Sequence, residues 1–359
     1  MAKMKVRPGI LTGNELQEVF AYCKETKCAL PAVNVIGSST SNAAMYAAKQ
    51  AGSPIIIQFS NGGALFNAGK YLDNKGERGA VAGAVAGAHH IRIISELYGV
   101  PVILHTDHCA RKLLPWVDGM LDAGEAWYRE TGKPLYSSHM LDLSEEELED
   151  NINTCAAYLE RMAKIDMTLE IELGVTGGEE DGVDNSNVDA SRLYTQPEDV
   201  LKAYDVLKPI GKFTVAAAFG NTHGVYKPGN VKLRPEILKN SQEMIRKERG
   251  LKEEKPLDLV FHGGSGSELS KITEAIGYGV IKMNIDTDTQ WAYTRPIREY
   301  MDKNHDYLLA QIGNPEGEDK PNKKKIDPRG WMVEGEKGFA ERLVEAFRNL
   351  NSFEKFDLG

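Results

Sequence analysis

Short apolar runs rich in Val, Ile and Phe recur along the chain, several opened by proline, and each has the length of a strand. In order they are 31–37 (PAVNVIG), 54–60 (PIIIQFS), 101–107 (PVILHTD), 136–142 (YSSHMLD), 168–174 (TLEIELG), 213–220 (FTVAAAFG), 257–264 (LDLVFHGG) and 279–286 (GVIKMNID). Helix-like segments fall between them at 41–51, 80–98, 197–207, 235–249 and 268–278, and another begins at Ser144. In that one Leu148, Ile152, Cys155, Leu159 and Met162 follow the 3.6-residue period of a single buried face. The Ser144 hydroxyl with Glu147 three residues on predicts a capping box at its start. Near-continuous apolar strands alternating with helices imply a parallel sheet covered on both faces. Eight such units fit a closed (β/α)8 TIM barrel better than an open sheet. The expectation is one domain over residues 1–359, with a helical extension from about 287 to 359 that ends in a helix over 335–350. Three Gly-rich or charged stretches, 61–78, 174–196 and 313–330, read as long loops.

In barrels of this kind the chemistry sits at the C-terminal ends of the strands. Here those ends carry Asn34, Ser60, Asp107 with His108, Asp142, Glu172, His223, His262, and Asn284 with Asp286, whereas the opposite ends mostly carry Pro, Gly, Lys or aromatic residues. His108, His223 and His262 lie far apart in sequence, so no local motif joins them. Closure of the barrel would bring them to one rim, where three neutral imidazoles and an open position make a catalytic zinc site. Asp142 and Glu172 suit either a second metal position or the orientation of a ligating histidine, and equally a role capping helices or pairing with cations. Asp107 is placed to exchange a proton with a metal-bound substrate. His105 shares a strand face with Asp107 and can stand behind the ligands. His89 and His90 read as packed or surface residues of a helix, no role is assigned to His139, and Cys109 reads as a small buried residue.

The run Gly263-Gly264-Ser265-Gly266-Ser267 leads into a helix after strand seven, and Asn284-Ile285-Asp286-Thr287 ends strand eight. Backbone N–H groups of such a turn bind an anion without side-chain charge, and barrel phosphate sites often lie there. The acidic loop 177–182 (GGEEDG) reads either as a lid that brings a mobile base or as a solvated loop. The run Asn322-Lys323-Lys324-Lys325 with Arg329 reads either as surface charge or as a second phosphate contact.

Lys plus Arg number 43 and Asp plus Glu 52, a net charge of −9 over 359 residues. That balance argues against a dedicated nucleic-acid binder, though a local cationic pocket can still take a small anion. Four cysteines with no CxxC pair fit reduced thiols. The first residues lack the apolar core of a secretory signal, and no stretch approaches 18 uncharged apolar residues. The expectation is a cytoplasmic protein that binds neither membrane nor nucleic acid.

The stretches HTDHC at 105–109, LEIELGVTGGEEDGVDNS at 169–186, FGNTHGVYKPGN at 219–230, VFHGGSGS at 260–267 and KMNIDTDTQWA at 282–292 closely resemble class II fructose-1,6-bisphosphate aldolases. The longer insertions point to the class IIA subgroup, and the likeness runs from about residue 6 to 350. The resemblance implies a metal-dependent lyase of glycolysis and gluconeogenesis that reversibly cleaves fructose 1,6-bisphosphate into dihydroxyacetone phosphate and glyceraldehyde 3-phosphate. It implies His108, His223 and His262 as ligands of a catalytic Zn2+, with Asp142 and Glu172 at an alternative or second divalent position. It implies Asp107 as the residue exchanging a proton with the C4 hydroxyl, and Glu180 as the loop glutamate acting at the ketose carbon. Gly224, Gly263, Gly264, Ser265, Asn284, Asp286 and Thr287 match the dihydroxyacetone-phosphate site. Asn34 and Ser60 match contacts to the carbonyl region and the aldehyde half. Arg329 matches a contact to the distal phosphate across a homodimer. A monovalent cation, Na+ or K+, is implied near the phosphate. Three alternatives stay open: another ketose bisphosphate such as tagatose 1,6-bisphosphate as substrate, a Schiff-base lyase working through Lys282, and a non-catalytic sugar-phosphate-binding protein.

Overall fold

All eight apolar runs form strands, each trimmed where its polar end turns away: β1 (Leu30–Asn34), β2 (Ile55–Phe59), β3 (Pro101–Thr106), β4 (Ser138–Leu141), β5 (Thr168–Leu173), β6 (Phe213–Ala217), β7 (Leu259–Phe261) and β8 (Val280–Asn284). The structure, a computed structural model, describes residues 2–177, 193–222 and 232–359, and the strand backbone at 179–180 and 183–184. Strands adjacent in sequence pair in parallel, and β8 returns onto β1 through Lys282↔Leu30 and Asn284↔Ala32. The sheet is therefore a closed (β/α)8 barrel, and it leaves no edge between β1 and β8. Outside it, Gly9–Ile10 adds a short parallel pairing to β3, and Met4–Lys5 pairs with Phe356–Asp357.

Helices Ser38–Ala51, Arg78–Tyr98, Leu148–Ala163, Pro197–Leu207, Glu236–Glu248 and Leu269–Gly277 follow the expected segments closely, and each lays an apolar face on the strands. Helices Gly13–Thr26 and Leu114–Thr131 were not foreseen. Leu16, Val19, Phe20 and Cys23 of Gly13–Thr26 pack on Leu30, Ala32, Ile56 and Ile103, so this helix plugs the N-terminal mouth of the barrel. Each such large side chain, fully buried, contributes about 1.5–3 kcal/mol of transfer free energy.

Three expectations are corrected. The capping box at Ser144 does not form, and the helix starts at Leu148 after Glu147, with no side-chain cap. The reason is a nearer acceptor: Asp142 Oδ1 takes both the Ser144 hydroxyl (2.7 Å) and its backbone N–H (3.3 Å). Residues 61–68 are helix rather than loop. Ser60 Oγ accepts from the Gly63 N–H at 3.2 Å to start it. The helix then lies so close to Arg78–Tyr98 that a Cβ at Gly83 would sit 1.8 Å from the Ala64 carbonyl oxygen. Residues 313–330 also carry structure: the hairpin Ile312–Asn314/Gly317–Pro321, the helix Lys323–Ile326, and the last helix, which begins at Pro328 and ends at Asn349. Among the described residues no helix is long and apolar enough to cross a membrane.

Candidate metal centre

Side chains alternate along a strand, so Glu170 and Glu172 share one side of β5, Lys282 and Asn284 one side of β8, and His105 and Asp107 one side of the chain at β3. All six are buried. Directly after β3 the chain bends at His108, whose φ of 34° lies in the left-handed region that is strained for any residue with a Cβ. The bend turns its ring towards β5 and β7. His108 Nδ1 lies 2.9 Å from Asp142 Oδ2 and 3.6 Å from Glu172 Oε2. His262 Nδ1 lies 3.2 Å from that same Glu172 oxygen, and the two imidazole centroids are 4.7 Å apart. Glu172 is held in this pose through its other oxygen, which accepts from Thr176 Oγ1 at 2.7 Å, and Asn221 in turn donates to Thr176.

This donor set suits a divalent ion. Ligand atoms of Asp107, His108 and His262, and those of His108, Asp142 and Glu172, fall within 4.8 Å of one another. A buried carboxylate oxygen facing two imidazole nitrogens is the mixed N/O environment that zinc takes. The strong electrostatics point the same way. Burial works against charge on Asp142, but the hydrogen bond and charge of His108 and two bonds from Ser144 hold its carboxyl at about 2. Burial works against charge on His262 as well, yet Glu172 and Glu170 on either side outweigh it and lift the imidazole to about 9. His105 goes the opposite way, pushed well below the usual histidine range by burial and by the Lys282 charge.

Asp107 is gripped by amides. Gln58 Nε2 donates to its Oδ2 at 2.8 Å, Asn284 Nδ2 donates to both oxygens (3.1 and 3.3 Å), and Gln58 also reaches Asn34 Oδ1 at 2.6 Å. One layer deeper, Lys282 Nζ donates to both oxygens of Glu170 at 2.7 and 2.8 Å. The candidate amine for a covalent route is thus an ammonium committed to a carboxylate.

At the glycine-rich turn Gly263 has φ 61°, and a Cβ on Gly264 would meet Met283 Cγ at 2.7 Å. The Gly264 N–H itself donates to the Asn284 carbonyl at 3.0 Å, so this residue ties β7 to β8 within the fold. Ser265 Oγ accepts from the Asp288 N–H at 3.3 Å, Asp286 accepts from Gln290, and Thr287 begins the helix Thr287–Lys303. Arg329 is exposed on the first turn of Pro328–Asn349, paired with Asp327 at 2.7 Å. His223 and Gly224 lie outside the described residues, as does the side chain of Glu180. His89 stacks edge-on to Trp127 and His90 meets Asn42, so neither helix histidine joins the cluster. Cys109 is buried, with its thiol pushed far up by that burial. Gln58 and Glu170 were not singled out in the sequence. The signal for each is a polar residue inside an otherwise apolar strand, two positions before Ser60 and Glu172.

The family profile described as Fructose-bisphosphate aldolase class-II matches residues 14–355. A protein named fructose-bisphosphate aldolase from Edwardsiella ictaluri is 61% identical over 347 residues, covering 96% of this chain and 97% of that one. One named fructose-bisphosphate aldolase class 2 from Escherichia coli K12 is 57% identical over 351 residues, covering 97% and 98%. The crystal structure of a fructose-bisphosphate aldolase from Campylobacter jejuni superposes with a TM-score of 0.89 at 56% identity, covering 98% of each chain.

Proposed function

Because this chain belongs to the class-II fructose-bisphosphate aldolase family, we propose that the cluster at the C-terminal ends of β3, β5 and β7 is its metal centre. His108 and His262, joined by His223, would hold a catalytic Zn2+, with Asp142 and Glu172 as the alternative or second divalent position. The protein is a carbon–carbon lyase that reversibly cleaves fructose 1,6-bisphosphate into dihydroxyacetone phosphate and glyceraldehyde 3-phosphate. Zn2+ held by these residues would supply Lewis acidity for the ketose carbonyl and for the negative charge that C3–C4 cleavage develops.

The chain's own groups do the rest. Asp107 takes the C4 hydroxyl proton in cleavage and returns it in condensation, its carboxylate aimed by Gln58 and Asn284. Glu180, from the acidic loop, moves the proton at the dihydroxyacetone-phosphate carbon. Gly224, Gly263, Gly264 and Ser265, with Asn284, Asp286 and Thr287, take one phosphate at the rim where β7 and β8 end. A monovalent cation, Na+ or K+, would supply further positive charge for that phosphate. Ser60 and Asn34 contact the aldehyde half and the carbonyl region, and Arg329 meets the distal phosphate across a homodimer in the cytoplasm. Two phosphate anchors set substrate length and spend remote binding energy on orientation.

The observation that carries this reading is the convergence of His108 and His262 on one Glu172 oxygen, at 3.6 and 3.2 Å. The experiment is metal removal. A chelator should abolish cleavage and Zn2+ should restore it, with fructose 1,6-bisphosphate cleaved in preference to tagatose 1,6-bisphosphate. Full activity after exhaustive chelation, or trapping of substrate on Lys282 by borohydride, would overturn it.

A further inference from the structure

Beneath the metal cluster, Glu170, Lys282 and His105 form a second buried polar group that the aldol chemistry does not use. Taking a carboxylate and an ammonium out of water is costly, and apolar residues of the same volume often serve folding as well or better. The pair therefore calls for a purpose beyond packing. Its geometry supplies one. Glu170 Oε1 receives Lys282 Nζ at 2.7 Å and lies 2.9 Å from His262 Nε2. Glu170 Oε2 receives Lys282 Nζ at 2.8 Å, and Thr214 Oγ1 (3.4 Å) and His105 Nε2 (3.7 Å) flank it. His105 is itself held at its other nitrogen by Ser138 Oγ at 2.7 Å. On the opposite edge of the His262 ring, Nδ1 faces Glu172 Oε2 at 3.2 Å.

An imidazole can offer either nitrogen to a metal, and the choice is made by whatever bonds the other one. Glu170 and Glu172 stand two residues apart on one side of β5, so the His262 ring from β7 is caught edgewise between them. We propose that Glu170, anchored by Lys282, is a positioning residue that accepts the His262 Nε2–H and so commits Nδ1 to the metal. Lys282 works through Glu170: by donating to both oxygens it fixes the plane of the carboxylate, and the carboxylate fixes the ring. The inference rests on the metal centre proposed above.

The test uses the full-length protein, stripped of metal and titrated with Zn2+ against a competing chelator. The double variant Glu170→Met/Lys282→Met removes acceptor and anchor together, so no lone charge is left buried. Its zinc affinity should fall about 10- to 100-fold with its far-ultraviolet dichroism unchanged. Glu170→Gln/Lys282→Met restores an acceptor oxygen without charge and should recover most of that loss. Wild-type affinity in the folded Met/Met protein would overturn the proposal. Should that variant fail to fold, histidine 15N resonances of the zinc-loaded wild type decide: Nε2 protonated and Nδ1 metal-bound for His262 supports it, and Nε2 metal-bound overturns it. A wild type that binds no divalent ion sinks the metal centre itself. One that binds with Nε2 on the metal sinks this inference alone.

Discussion

Along β1, β2 and β3 the residues facing the barrel axis change character within a few ångströms. Leu30, Ile56 and Ile103 lie at the N-terminal end, packed on Leu16, Val19 and Phe20 of the plugging helix. Asn34, Gln58 and Asp107 lie towards the C-terminal end, hydrogen-bonded to one another. The same backbone ladder carries both ends. The apolar end gains transfer free energy for every side chain it buries. The polar end buries carboxylates, imidazoles and an ammonium, which at best break even in folding. Stability and chemistry are thus separated along the strand direction, and a substitution at one end should leave the other end's role intact.

The sharpest way to break that comparison is a pair of substitutions, one at each end. Asp107→Asn should lower kcat by about 10²- to 10⁴-fold, the usual share of a general acid–base group. Zinc content and thermal midpoint should stay as in the wild type. Leu16→Ala at the plug should do the reverse, costing about 2–5 kcal/mol of stability in denaturant unfolding, with kcat per folded molecule unchanged. A large loss of kcat in folded Leu16→Ala would show that the ends are coupled and that the separation is wrong.

The same division explains what could be read from sequence. Parallel barrel strands are covered on both faces, so they read as unbroken apolar runs, and the polar residue closing each run marks the functional rim. Asp107, His108, Asp142, Glu172 and His262 were legible for that reason. Gln58 and Glu170 sit one layer deeper, where a polar letter inside a strand looks like noise and only contacts across the barrel give it meaning; Lys282 stands out in the sequence as a candidate amine, and its bonds to Glu170 give it a different role. The helix at 61–68 was hidden differently. Its glycines suggested a loop, whereas Gly63 lies against the Val35 carbonyl and Gly83 of the neighbouring helix lets the two helix backbones touch. Local composition cannot distinguish a glycine that frees the chain from one that admits a neighbour.

A smaller effect sharpens the polar end. In the metal-free protein His262 is raised to about 9, above its ordinary value of about 6.5. Its paired charge therefore adds stability that is complete below about pH 6.5 and is lost as pH rises through 9. Zinc needs the unprotonated Nδ1, so binding must displace a proton. At pH 7.5 zinc uptake should release close to one proton from this residue, and affinity should climb with pH and level off above 9. Calorimetry in two buffers of different ionisation enthalpy counts that proton, and a count near zero attributable to His262 would mean that the two glutamates do not hold it charged.

The smallest effect concerns Ser144, where the fold departed from its expected cap. Were Ser144 capping the helix that starts at Leu148, Ser144→Ala would cost about 1 kcal/mol. Its hydroxyl instead donates to Asp142, whose other oxygen faces His108. The substitution should therefore move stability by only a few tenths of a kcal/mol, as at sites that carry no such feature. The effect should appear at the rim: Asp142 loses one of its donors, and its carboxyl should titrate above the present value of about 2 while His108 still keeps it below the ordinary aspartate range. Carbon-detected NMR of the Asp142 carboxyl reads that shift in the metal-free protein. A full 1 kcal/mol loss with an unmoved Asp142 would return Ser144 to the helix and take from the metal centre one of the groups that orient it.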